Sequence, residues 1–251
     1  SAHFADVLAK TSSSSNTNVS MLGETFKYVA PVAGALGYSV EDTSVAIGLM
    51  ANSGIKASQA GTALRTILTN MANPTDKMTS AMDSLGVSLD DGNGNMLSFS
   101  EVMQQLRSGF GELKISGEDF QASLSELDAA LASGEINEKQ YHAAIEDLTT
   151  RAYGAEGAIK AQTASVLAGK EGMSALLAIV SASDEDFAKL TQEINNADDA
   201  AEKMSQVMMD NLKGDLTTLK SKMEEAAISI GEVLQPAIRD VASKIQEWMD
   251  K

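Results

Sequence analysis

Cysteine is absent from the 251-residue sequence, and proline (3 residues) and aromatic residues (4%) are scarce. The lack of cysteine excludes a disulfide framework and thiolate metal sites. So few prolines leave long stretches free to form helices. The apolar content is mostly Ala, Leu, Met, Ile and Val, and the first three favour helices. The sequence therefore predicts a mainly α-helical protein with little sheet.

Positive charge is also scarce, since 19 Lys and Arg stand against 35 Asp and Glu and leave a net charge of −16. A surface this acidic repels phosphate backbones and anionic lipid, which argues against sequence-specific nucleic-acid binding. The longest compact apolar run, Ala175 to Val180, is far shorter than the roughly 20 residues of a membrane span. We therefore expect no transmembrane segment. The sequence has no signal peptide, and we interpret it as a piece of a longer protein.

Helix start and stop signals recur along the chain. Apolar residues at helical spacing predict helices over Met21 to Ala35, which Pro31 should strain, and over Ser58 to Ala72. Further helices are expected where capping residues precede an apolar stripe, at Ser39, Thr75, Ser98, Ser116, Asn137 and Asp184. The Ser/Asn/Thr run Ser12 to Asn18 is typical of a loop. After the Gly/Ala-rich stretch Gly154 to Ala168, we expect a short apolar helix over Glu171 to Ser181.

One small β-hairpin is predicted over Val87 to Phe99, where alternating apolar residues flank a turn rich in Asp, Asn and Gly. The turn carries oxygen ligands at alternate positions from Asp91, as a calcium loop would. However, Met96 stands where an EF-hand needs Gly, and Val102 stands where it needs a bidentate Glu. The turn interpretation is therefore favoured over a metal site.

The C-terminal residues 198–251 form one long amphipathic pattern with heptad character, which is typical of a coiled-coil helix. Pro236 should kink or end it. The candidate self-association residues on its apolar seam are Leu212, Leu216, Leu219, Met223, Ile230 and Val233. This seam either folds back on the rest of the chain or pairs with copies of itself.

Residues that suggest catalysis or cofactor binding are few. His3 and His142 lack a second ligand at helical spacing, so we predict no metal or other cofactor and no catalytic residue. An enzymatic alternative is a cell-wall hydrolase with paired carboxylates, for which Glu135 and Glu138 in a turn are the candidates.

Several blocks of the sequence resemble the tail tape measure proteins of long-tailed phages and prophages. The most specific is SQAGTALR (Ser58 to Arg65), within a helix–Gly–helix stretch from Ala30 to Pro74. A second begins DNLKGDL and spans Asp210 to Val241. Gly86 to Leu106 and Gly169 to Leu190 are similar to further blocks of the shared N-proximal region of that family.

The resemblance implies a structural, non-enzymatic role. Tape measure proteins set tail length, fill the tail tube and leave it during DNA ejection. The implied partners are the tail tube protein, tail assembly chaperones, distal tail or baseplate proteins and further copies of the chain. The implied locations are the tube lumen of the virion and, during assembly, the host cytoplasm.

The resemblance and the helix pattern together divide the chain into four regions. Residues 1–115 form a helical core with the hairpin near 87–99, and 116–162 look like an inserted helical hairpin. Residues 163–197 continue the core, and 198–251 form the long helix. We therefore expect a mainly α multi-helix bundle.

Overall fold

The computed structural model describes residues 2–207, in which ten α-helices occur. They are α1 (Ala2–Ser14), α2 (Val19–Ala35), α3 (Val40–Asn52), α4 (Ala57–Ala72), α5 (Asp76–Leu85), α6 (Phe99–Phe110), α7 (Gly117–Ser133), α8 (Glu138–Tyr153), α9 (Gly157–Ser181) and α10 (Asp184–Asn195). A compact unit, referred to below as the body, ends at Ala201, and a second unit begins at Glu202. The mainly helical prediction is confirmed.

Five of these helices, α3, α5, α6, α7 and α8, begin at the caps that the sequence indicates. Ser98 and Glu101 form a capping box at α6, in which the Glu101 carboxylate accepts from the Ser98 amide at 2.8 Å. Asn137 and Gln140 form a second one at α8. At α10 the predicted cap is off by one residue. Ser183, not Asp184, accepts from the Asp186 amide, so Asp184 instead opens the acidic first turn beside the helix N-terminus.

Helix α9 lies at the centre of the body and packs against α3, α4, α5, α6, α7 and α8. All residues from Gly172 to Ser181 are buried, so this part of the helix is covered on every side. The apolar helix expected over Glu171 to Ser181 is thus present as the second part of α9, and the first part runs from Gly157 to a kink at Gly169. Gly169 has φ 71° and ψ 169° and kinks it, a backbone conformation that glycine adopts without a Cβ clash.

One further loop prediction needs correction. The run Ser12 to Asn18 is not all loop, because α1 continues to Ser14. Pro31 lies inside α2, which runs on to Ala35. Because proline has no N–H, one backbone hydrogen bond of α2 is missing at Pro31. The helix tolerates this loss because Pro31 lies close to its C-terminal end.

The predicted β-hairpin over Val87 to Phe99 is wrong. Between residues 2 and 207 no strand forms, and the segment contains a single antiparallel bridge between Asp90 and Met96. Ser98 is taken up as the N-cap of α6, and Phe99 is already helical. Too few residues remain after the turn to build a ladder, and the turn itself consists of residues that disfavour strands.

One helical stretch bears on the expectation that the chain has no transmembrane segment. By length and composition one helical stretch in the described part, Glu138–Ser181, is apolar enough to do so, with a mean hydropathy of 1.3 in its best window. That window is 67% buried inside the protein. The stretch contains α8 and α9, whose apolar surfaces are covered by the neighbouring helices.

Helices α2 and α4 pack most closely at Gly61. A Cβ added at Gly61 would lie 2.6 Å from the Thr25 carbonyl oxygen and 3.0 Å from Tyr28 Cβ. Thr25 also donates its hydroxyl to the Ala57 carbonyl oxygen at 2.9 Å. The absence of a Cβ at Gly61 therefore allows α4 to approach α2 closely.

We expect Gly61→Ala to lower the free energy of unfolding by about 1–3 kcal/mol, because the added methyl group must push two backbones apart. The matched control is Gly23→Ala in α2, where an added Cβ meets nothing within 4 Å. There the higher helix propensity of alanine should stabilise the protein by about 0.5–1 kcal/mol. Urea denaturation followed by circular dichroism measures both, and equal effects of the two substitutions would contradict the packing argument.

Candidate functional site

The self-association residues predicted on the heptad seam, Leu212 to Val233, lie outside the described residues. The helical stretch that leads toward them is described over 200–207. Val207 is 60% exposed there.

The two carboxylates considered for catalysis, Glu135 and Glu138, lie at the turn between α7 and α8, and both are exposed. Glu138 borders an open groove with His142 on α8 and Ile159 on α9, whereas Glu135 does not line it. A paired-carboxylate hydrolase needs its acids on rigid elements facing a cleft, and this turn does not place them so. His3, one of the two histidines considered as metal ligands, pairs with the Glu41 carboxylate of α3.

The turn with calcium-like spacing is held by its own side chains. Asp91 Oδ2 accepts from the Asn95 side-chain amide at 2.8 Å, and Oδ1 accepts from the Asn93 amide at 2.8 Å and the Asn95 amide at 3.1 Å. These hydrogen bonds, that from the Asn95 side chain foremost, lower the pKa of Asp91 to about 2. Among residues 2–207 no group of three or more His, Asp or Glu side chains is arranged to hold a metal ion.

A buried arginine joins α6 to the end of α9. Arg107 is only 10% exposed and donates from Nη1 to the carbonyl oxygens of Ile179 (3.3 Å) and Ala182 (2.5 Å). Its Nη2 lies 2.6 Å from the Asp184 carboxylate, and its guanidinium stacks 4.9 Å from the centre of the Phe187 ring. Arg107 thus satisfies carbonyls that the end of α9 leaves without helical partners.

A second polar contact ties the α7–α8 hairpin together. The Tyr141 hydroxyl donates to Asp128 Oδ1 at 2.6 Å, while Asp128 Oδ2 is buried without a partner among the described side chains. Burial raises the pKa of the Asp128 carboxyl, which hydrogen bonding from Tyr141 and from Ser174 on α9 partly offsets. Burial and the nearby Asp128 raise the pKa of Tyr141. The pair is part of the interface between α7 and α8.

A third set of contacts joins the two ends of the body, and we refer to it as the clasp: Asp6, Lys10, Ser14, Glu193 and Ala201. Asp6 Oδ1 accepts from the Ala201 amide at 2.9 Å. Glu193 Oε2 accepts from the Ser14 hydroxyl at 2.5 Å and lies 3.5 Å from the Lys10 ammonium. The Ser14 hydrogen bond, followed by the charge of Lys10, lowers the pKa of Glu193.

Sequence reasoning missed Arg107 and the clasp. Nothing local marks either, because their partners lie 72 or more positions away. Asp128 did leave a signal. It stands on the apolar face of α7 with Phe120, Leu124 and Leu131, and a charged residue in such a stripe needs a buried partner.

Comparison with known proteins adds to this geometry. The profile of the family described as phage-related minor tail protein matches residues 1–127. The chain is 33% identical over 248 residues to a protein named tape measure protein from Pneumococcus phage Dp-1, covering 99% of this chain and 18% of that protein. It is 24% identical over 257 residues to a probable tape measure protein from Escherichia phage P2, covering 100% of this chain and 27% of that protein. No solved structure matches the chain.

We expect Arg107→Ala to lower the free energy of unfolding by about 2–3 kcal/mol, because it leaves two carbonyl groups at the end of α9 without donors. Asp184→Ala is the matched control. The Asp184 side chain is fully exposed, so its loss should change stability little. Thermal unfolding of both variants measures the difference. If Asp184→Ala were as harmful as Arg107→Ala, the ion pair and not the carbonyl contacts would be what stabilises this end of α9.

Proposed function

We propose that this chain, which belongs to the phage-related minor tail protein family, serves as a helical segment of a tape measure protein. The support is the family match over residues 1–127 together with two relatives named as tape measure or probable tape measure proteins. The chain spans about a fifth to a quarter of the length of these relatives, at 18% and 27%. The function of the whole protein is therefore part of the proposal.

In this role the protein sets the length of the tail, occupies the tube lumen of the virion and leaves it during DNA ejection. A helix rises 1.5 Å per residue, so a count of helical residues corresponds to a distance along the tail. The net charge of −16 suits a protein that shares a narrow channel with DNA, because like charges do not adhere.

The proposed partners are the tail tube protein that polymerises around the chain, the tail assembly chaperones that hold it in the host cytoplasm, and the distal tail or baseplate proteins. The role is structural and not enzymatic. The hydrolase alternative gains no support from the exposed turn that carries Glu135 and Glu138.

The heptad seam of residues 198–251 is proposed to pair with copies of itself. Its apolar positions alternate at three and four residues between Leu216 and Ala237, which is the pattern of a coiled coil. Such an apolar stripe must be buried against protein. Several copies of the chain within one tube would bury it against each other.

Length-setting is tested in the phage or prophage that encodes the chain. Duplicating residues 208–235, four heptads that end before Pro236, should lengthen the tail by about 42 Å, measured by electron microscopy of negatively stained tails. The matched control replaces the same residues one for one with another heptad sequence, which should leave the length unchanged. A duplication that leaves tail length unaltered would count against the tape measure role.

Self-association is tested by light scattering on the chain. We expect residues 1–251 to form oligomers and residues 1–207 to be monomeric. The variant Leu216→Gln/Leu219→Gln keeps the full length and should also be monomeric, since amide side chains do not pack in a heptad seam. Equal molar masses for all three proteins would show that the seam does not drive assembly.

A further inference from the structure

The first helix of the body and its last residue lie side by side. Asp6 and Ala201 are 195 positions apart in the chain, yet Asp6 Oδ1 and the Ala201 amide nitrogen are separated by 2.9 Å. As a single straight helix, a stretch of that length would extend about 290 Å. Folded as it is, the body brings Ala201 back beside Asp6.

The closure does not depend on one hydrogen bond. Glu193 of α10 is held by Ser14 and Lys10 of α1, at 2.5 and 3.5 Å. These contacts lie on helices that also bury apolar side chains in the same core, Val7 and Leu8 from α1 and Leu190 and Ile194 from α10. Opening the ends would expose that apolar surface to water and is therefore unfavourable.

The closure also involves the interior of the body. Helix α1 packs against both α3 and α10, and Gly48 of α3 leaves room there, since a Cβ at that position would lie 2.7 Å from Leu190 Cδ2 and 3.4 Å from Ser15 Cβ. Helices α1, α3 and α10 thus pack together and hold Asp6 and Ala201 close to each other.

We propose that the body is a length-neutral module of the tape measure: it is carried in the tail with its ends clasped, and its residues add almost nothing to the length that the protein measures. This rests on the proposed tape measure function. It deepens that function by distinguishing a part of the chain that contributes to tail length from a part that does not. Only a segment whose two ends are far apart converts its number of residues into distance along the tail.

The test places one insert at two positions in the encoding phage or prophage. A copy of residues 208–235 is inserted either after residue 235, as a tandem duplication, or between Gly134 and Glu135, at the exposed turn of the α7–α8 hairpin. The tandem copy should lengthen the tail by about 42 Å, and the copy in the turn should leave it unchanged. Tail lengths are read by electron microscopy.

The outcomes separate the inference from its premise. An equal increase for both inserts would overturn the length-neutral body while leaving the tape measure role intact. If neither insert changed the tail length, the tape measure role would be overturned, and the proposal of a length-neutral body would be overturned with it.

A second measurement applies even where the insert at the turn prevents tail assembly. The chain contains no cysteine, so the pair Asp6→Cys/Ala201→Cys introduces its only two thiols. We expect a short bis-maleimide to link them both in the free protein and in purified tails, with the linked peptides identified by mass spectrometry. The two single-cysteine variants are the controls. Linkage in the free protein but not in tails would show that the body opens in the tail, and absence in both would show that the clasp does not form.

Discussion

The burial of the second part of α9, Gly172 to Ser181, on every side is the constraint on which the rest of the body depends. A helix that is apolar around its whole circumference can be stable in water only if other elements cover it completely. Six helices do so, from α3 to α8, and their own polar faces then form the surface. Arg107 completes the arrangement, because the end of a buried helix presents carbonyl groups that water cannot reach. The order in which the helices pack follows from this requirement.

Local signals were enough for most helices but not for all of them. Capping residues and helical spacing predicted α2 through α8 and α10, because these signals act within one or two turns. Helix α1 was missed since its Ser-rich end disfavours a helix by itself and is ordered by packing against α3 and α10. The first half of α9 was missed because Gly154 and Gly157 at its start are typical of a loop. The hairpin prediction was wrong because α6 begins at Phe99 and takes Ser98 as its N-cap. The second strand of the hairpin would have needed both residues.

For the functional residues, too, some features could be predicted from the sequence and others could not. Family membership could be predicted from short blocks such as Ser58 to Arg65, and the comparisons bear it out over residues 1–127. The contacts of Arg107 and of the clasp could not be predicted, since each joins helices far apart in the chain. Asp128 lies between these cases. Its place in the apolar stripe of α7 indicated a buried partner, but only the fold shows that the partner is Tyr141.

The clasp has a consequence for how such chains change over time. A folded unit whose two ends touch can be spliced into a host chain between neighbouring residues, or removed again, without displacing what lies on either side. Selection on overall particle dimensions would then be blind to its presence, so such a unit is free to diverge, to enlarge its loops or to move between related viruses as an independent cassette.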